Sequence, residues 1–96
     1  RVVGCAMSVA SDRYLFKVRC LPCVPCLLVF GTNHPCEEIH HIESSRSGAS
    51  EFLIVPVCHE MHQGPIGIHG LHRRGFELRY KVSDLDMLAK VNELLA

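Results

Sequence analysis

Apolar residues recur along this chain in short blocks, and each block has its own period. Tyr14, Leu15 and Val18 follow Ser11 and Asp12 at helical spacing. Ser and Asp are side chains that accept from the free N–H groups of a first helical turn. The spacing predicts a short helix from about Asp12 to Arg19, read as core cover without chemistry. Ahead of it, Arg1 to Val9 are mildly apolar, carry Cys5, and fit either an edge strand or a loose end. Leu27 to Phe30 is a brief apolar run closed by the turn residues Gly31-Thr32-Asn33. From Glu37 to Ile42 the pattern alternates, as a strand does. Ile39 and His41 then share one face, and His40 and Ile42 the other.

A Ser/Gly-rich loop, Glu43 to Ser50, separates this strand from a second over Glu51 to Val55, with Pro56 as its expected end. A short helix is predicted over His59 to Gln63, stopped by Gly64-Pro65. Gly67-Ile68-His69-Gly70 reads as a tight connection, and Leu71 to Lys81 as a helix weakened by Gly75. Ser83-Asp84-Leu85-Asp86 is a variant capping box. The amphipathic helix behind it carries Leu85, Leu88, Val91, Leu94 and Leu95 on its apolar face. There is no internal repeat and no low-complexity segment. The pattern is an α+β one, with a hairpin among helices.

At 96 residues the default is a single domain spanning 1–96. A domain this small buries only about 60% of its unfolded surface and often needs a staple. Six cysteines and seven histidines are the candidates for it. Disulfides are one alternative and ordinary buried thiols another. Cysteines interleaved with histidines at ligand-like spacing, with no signal-peptide pattern ahead of them, favour metal and an intracellular setting. The formal net charge is zero, which excludes a histone-like binder held by charge alone. It leaves nucleic acid open, because a bound divalent ion adds positive charge that the sum omits. No apolar run approaches the ~18 residues of a membrane span.

The chemistry concentrates in a few segments. Cys20-Leu21-Pro22-Cys23-Val24-Pro25-Cys26 holds overlapping C-x2-C pairs. Such a turn aims two thiolates at one centre about 2.3 Å from each, and the prolines break helix and stiffen the knuckle. A redox dithiol is the alternative, but that motif should open a helix after a βα pattern. A closed, tetrahedral structural zinc site is expected from Cys23, Cys26 and Cys58. Its fourth ligand is open among Cys36, Cys20 and His59, because the helical position three after Cys58 is Met61, a poor zinc ligand. A second, open-sided divalent site is expected from His40, His62 and His69. Such an ion polarises a scissile phosphate and stabilises the leaving 3′-oxygen. His41, free of metal, is the candidate base for the attacking water, since imidazole titrates near working pH. His72-Arg73-Arg74 is the clustered basic patch, and Arg73 or Arg74 is placed to hold a neighbouring phosphate.

Glu38-Ile39-His40-His41-Ile42, Val55-Pro56-Val57-Cys58, His62-Gln63-Gly64, Gly67-Ile68-His69 and Phe76-Glu77-x-x-Tyr80 follow one another in order. From about Cys23 to Tyr80 the chain resembles the His-Me finger (HNH) nucleases, in particular the phage-encoded, RecA-dependent recombination-enhancement branch. That resemblance implies a small ββα-metal core with a cysteine zinc knuckle and flanking helices. It implies metal-dependent hydrolysis of DNA phosphodiesters, with structural Zn²⁺ and a catalytic divalent ion such as Mg²⁺, Mn²⁺ or Zn²⁺. It also implies a RecA-type recombinase filament as partner, in the bacterial cytoplasm of a phage host or lysogen. By the resemblance His40, His62 and His69 hold the catalytic ion, His41 is the general base, and Cys23, Cys26 and Cys58 hold zinc. The chain departs from the pattern at Met61, where the branch carries a ligand-type residue, and in having no Asn between His41 and His62. The competing expectation is a non-catalytic, zinc-stapled module that binds nucleic acid or protein. A secreted, disulfide-bonded domain is a third.

Overall fold

The computed structural model describes residues 9–42 and 50–96. Cys5 and most of the predicted loop after Ile42 lie outside the described residues. The elements run α1 (Val9–Arg19), α2 (Val24–Phe30), β1 (Glu38–His41), a 3₁₀ turn (Ser50–Phe52), β2 (Ile54–Val57), α3 (His59–Gln63), α4 (Ile68–Tyr80) and α5 (Asp84–Leu95). The result is a small α+β structure with a two-stranded sheet. Among the described residues no helix is long and apolar enough to cross a membrane.

The hairpin is the middle layer. β1 and β2 pair antiparallel, with His40 opposite Val55 and His41 opposite Ile54. All four residues of β2 are buried, so both of its faces are covered. α1, α2 and α5 pack on β2, while α3 packs on β1 and on α4. Val18, Val24, Ile54, Val55, Val57, Phe76, Met87 and Val91 form the centre of the core. Each such side chain contributes roughly 1.5–3 kcal/mol when fully buried. Cys23, Cys26, Cys58 and Met61 belong to the same buried cluster.

Prolines are used differently from the sequence expectation. Pro56 does not end the second strand; it sits inside β2 opposite Ile39. The bond from Ile42 N–H to Leu53 C=O sets the ladder phase. Paired residues alternate between bonded and non-bonded, so Ile39–Pro56 falls at a non-hydrogen-bonded pair. The missing proline N–H therefore removes no ladder bond. Pro25 does not break helix either. It stands in the first turn of α2, where its fixed φ suits the helix and its absent N–H would have had no partner. The C-x2-C motif thus does open a helix, contrary to expectation.

The C-terminal half differs in one respect. His69 was expected on a connection, but it lies in the first turn of α4. That helix is kinked at His72, whose backbone stands at φ 64° and ψ 163°. α5 has the capping box that Ser83 and Asp86 predict, with both reciprocal bonds made.

Candidate metal centres

The first centre grows out of two helix starts. Cys23 is the N-cap of α2 and Cys58 the N-cap of α3. Each sulfur accepts from the backbone N–H three residues on, at 3.4 Å in both cases. These bonds aim both sulfurs back toward the helix axes, where Cys26, in the first turn of α2, meets them. Cys26 Sγ lies 3.6 Å from Cys58 Sγ. The ligand atoms of Cys23, Cys26 and Cys58 all lie within 4.8 Å of one another. A tetrahedral zinc with sulfurs at about 2.3 Å would set them roughly 3.8 Å apart, so the donor set fits that ion.

Electrostatics agree with a cation-dependent site. Burial pushes the Cys23 thiol well above its usual range, and burial also raises Cys26. Without a positive charge these groups remain neutral thiols. With one they become thiolates, because a bound cation offsets the desolvation. A nucleophilic redox pair needs the opposite, a depressed thiol pKa. Cys23 and Cys26 open a helix as a redox pair does, but both are buried rather than presented at the surface.

None of the expected fourth donors joins the three thiols. Cys20 is exposed, and Cys36 Sγ donates to the Glu38 carbonyl at 3.3 Å. His59 Nδ1 is engaged by Glu38 at 2.6 Å. Met61, three after Cys58, is 3% exposed and fills the core.

The second centre is built by three elements. β1 turns His40 inward, where it is 8% exposed, and leaves His41 outside. α3 supplies His62 from its last turn, buried, and α4 supplies His69 from its first. The ligand atoms of His40, His62 and His69 lie within 4.8 Å of one another. His62 Nε2 and His69 Nε2 are 3.0 Å apart. Two imidazole nitrogens that close need a proton or a cation between their lone pairs. Neighbouring nitrogen ligands at about 2.1 Å from one ion sit roughly 3.0–3.4 Å apart, so this set also fits a divalent metal.

Glycines allow that approach. A Cβ on Gly70 would meet the Gly64 carbonyl oxygen at 2.2 Å and the Pro65 carbonyl oxygen at 2.5 Å. One on Gly67 would meet the Glu60 and Met61 carbonyls at 2.6 Å. The start of α4 can therefore lie directly on the end of α3. Tyr80 O–H, from the far end of α4, donates to the Ile66 carbonyl at 2.9 Å and pins the connection.

Sequence reasoning assigned no role to Glu38, which organises the centre from behind. It accepts from His62 Nδ1 at 2.7 Å and from His59 Nδ1 at 2.6 Å. A carboxylate on Nδ1 fixes the tautomer that leaves Nε2 free for metal. The signal was present in its place two residues before His40, on the same strand face. The bonds from His59 and then His62 lower the Glu38 pKa, and Glu38 raises that of His59. Burial, and then the proximity of His62, His69 and His41, pushes His40 down to about 4. Burial and His62 also lower His69. Neutral imidazole is the form that binds metal.

The remaining expected residues, His41, Arg73 and Arg74, are not drawn into the imidazole group. His41 lines a shallow cavity on the outer face with Ser11, Asp12, Leu15, Glu51 and Ile54. Arg73 pairs with Asp84 at 3.4 Å, and Arg74 is exposed. Among the described residues three groups could hold a metal ion: the three thiols, the three imidazoles, and a mixed set of His34, Glu37 and Cys58 that shares Cys58 with the thiols. No family model matches this chain, and neither does any of the curated proteins or solved structures with which it was compared.

Proposed function

We propose that this chain is a metal-dependent DNA endonuclease of the HNH type, in which His40, His62 and His69 hold the catalytic divalent ion. The observation that carries the reading is the convergence of these imidazoles from a hairpin and two successive helices, with Glu38 bonded behind His62. An ion held there supplies Lewis-acid polarisation of the scissile phosphate and charge neutralisation at the leaving 3′-oxygen. The chain's own residues do the rest. His41 is adjacent to His40 on β1, exposed, and close enough to bear on the His40 pKa. From there it takes a proton from the attacking water. Arg74 is exposed and contacts a flanking phosphate. Arg73 does so when released from Asp84, since its own side chain is exposed and the pair is a loose one at 3.4 Å. The thiol centre holds structural Zn²⁺. A recombinase filament as partner, and a phage-host cytoplasm as setting, rest on the sequence resemblance alone.

The test is plasmid cleavage across Mg²⁺, Mn²⁺, Zn²⁺ and Ni²⁺, with wild type and His41→Ala. Wild type should cut or nick in a metal-dependent way, and His41→Ala should bind the ion equally well and lose cleavage by about 100-fold or more. A mutant that cuts like wild type removes His41 from the mechanism. A metal-loaded wild type that cuts no DNA leaves the second reading, a zinc-stapled binding module. The zero net charge and the Arg73–Asp84 pair are what favour that module.

A further inference from the structure

We propose that His34 is the fourth ligand of the cysteine centre, completing a site of three sulfurs and one nitrogen. His34 lies in neither predicted ligand set, and the chain folds it into place. Cys23 N–H donates to the His34 carbonyl at 2.6 Å, and Pro22 and Pro35 form an isolated antiparallel bridge beside it. The backbone at His34 is therefore tied to the cysteine knuckle itself. Ligand atoms of His34, Glu37 and Cys58 lie within 4.8 Å of one another, so Cys58 is common to this group and to the three thiols.

The ring is in the state a ligand needs. His34 Nδ1 donates to the Pro35 carbonyl at 3.1 Å. A backbone carbonyl on one ring nitrogen fixes the tautomer and leaves the lone pair of the other for metal. His34 is exposed, so its ring can swing about its own torsions to meet the ion. Glu37 is the rival donor. Its Oε1 already accepts from His59 N–H at 2.8 Å, at the start of α3, and a hard carboxylate suits a thiolate-rich site less well than imidazole. The assignment also accounts for Met61. With His34 supplying the nitrogen, the position three after Cys58 is free to carry a core side chain.

This inference does not rest on the nuclease reading: a chain that cuts no DNA can still hold zinc through His34, and the reverse. The test uses the full chain, zinc competition titration and cobalt(II) as a spectroscopic substitute. His34→Ala should weaken zinc binding by more than about tenfold, whereas Glu37→Gln, Cys20→Ala, Cys36→Ala and His59→Ala should leave it within about twofold. His34→Cys should refold with metal and raise the thiolate-to-cobalt charge-transfer absorption by about one third, as four sulfurs replace three. Unchanged zinc affinity in His34→Ala overturns the assignment. If that variant fails to fold, His34→Cys decides: a cobalt spectrum identical to wild type overturns it equally.

Discussion

Glu38 accepts a hydrogen bond from His62 Nδ1 at 2.7 Å, and that bond determines which nitrogen of His62 faces His40 and His69. Replacing Glu38 with Gln keeps the size and removes the charge. Divalent-metal affinity at the histidine centre should fall about 10–100-fold, the usual cost of losing a partner behind a ligand. Isothermal titration of the Zn²⁺-stapled protein with Mn²⁺ measures it. Affinity equal to wild type would show that Glu38 only ties β1 to α3.

Gly70→Ala tests whether the α3–α4 contact positions His69. The added methyl would sit 2.2 Å from the Gly64 carbonyl oxygen, and backbone cannot yield as a flexible side chain can. The expected loss of stability is about 1–3 kcal/mol by urea denaturation. Binding at the histidine centre should weaken while zinc at the thiols stays. Equal loss at both centres would mean global disruption.

His72 has φ 64° and ψ 163°, a region that suits glycine and strains other residues by about 1–3 kcal/mol. His72→Gly should therefore stabilise the metal-free protein by about 1 kcal/mol after the extra chain entropy of glycine is subtracted. A lower melting temperature in this variant would mean that the His72 side chain contributes more than its backbone costs.

Acid should destabilise the metal-free protein through His40. Its folded pKa, about 4, lies below the ordinary 6.5, so the unfolded chain binds the proton first. Its contribution is complete above that ordinary value and is lost as pH falls from 6.5 toward 4. The lowered pKa of Glu38 adds a loss in the same direction. The raised pKa of exposed His59 works oppositely, lending stability that fades as pH rises through its folded value. Melting curves across pH for wild type and His40→Gln check this, and the variant should show a flatter acid limb.

Chelation should expose the thiols. With zinc bound, Cys23, Cys26 and Cys58 should resist a thiol reagent, and after chelation they should react. A disulfide-bonded domain would gain no thiols on chelation.

Much of this arrangement was readable from local pattern. Alternation over Ile39 to Ile42 put His40 and His41 on opposite faces, of which the structure buries that of His40, and Ser83-Asp84-Leu85-Asp86 announced α5. What escaped depends on phase or on distance along the chain. Pro56 could be judged compatible with β2 only once the ladder phase was known. Pro25 starts α2 because Cys23, rather than a conventional Ser or Asp, caps it. His69 and Glu38 take their places through contacts with His62, 7 and 24 residues away in sequence. His34 reaches the knuckle through a backbone bond 11 residues long, and no spacing rule encodes that.

Cys58 belongs to one centre and begins the helix that serves the other: its sulfur caps α3, and His62 rides on the last turn of the same five residues. So short a helix has little cohesion of its own in water. Whatever grips Cys58 therefore sets the pose of His62. A cation gripped by the three thiols would thereby also steady one corner of the imidazole seat.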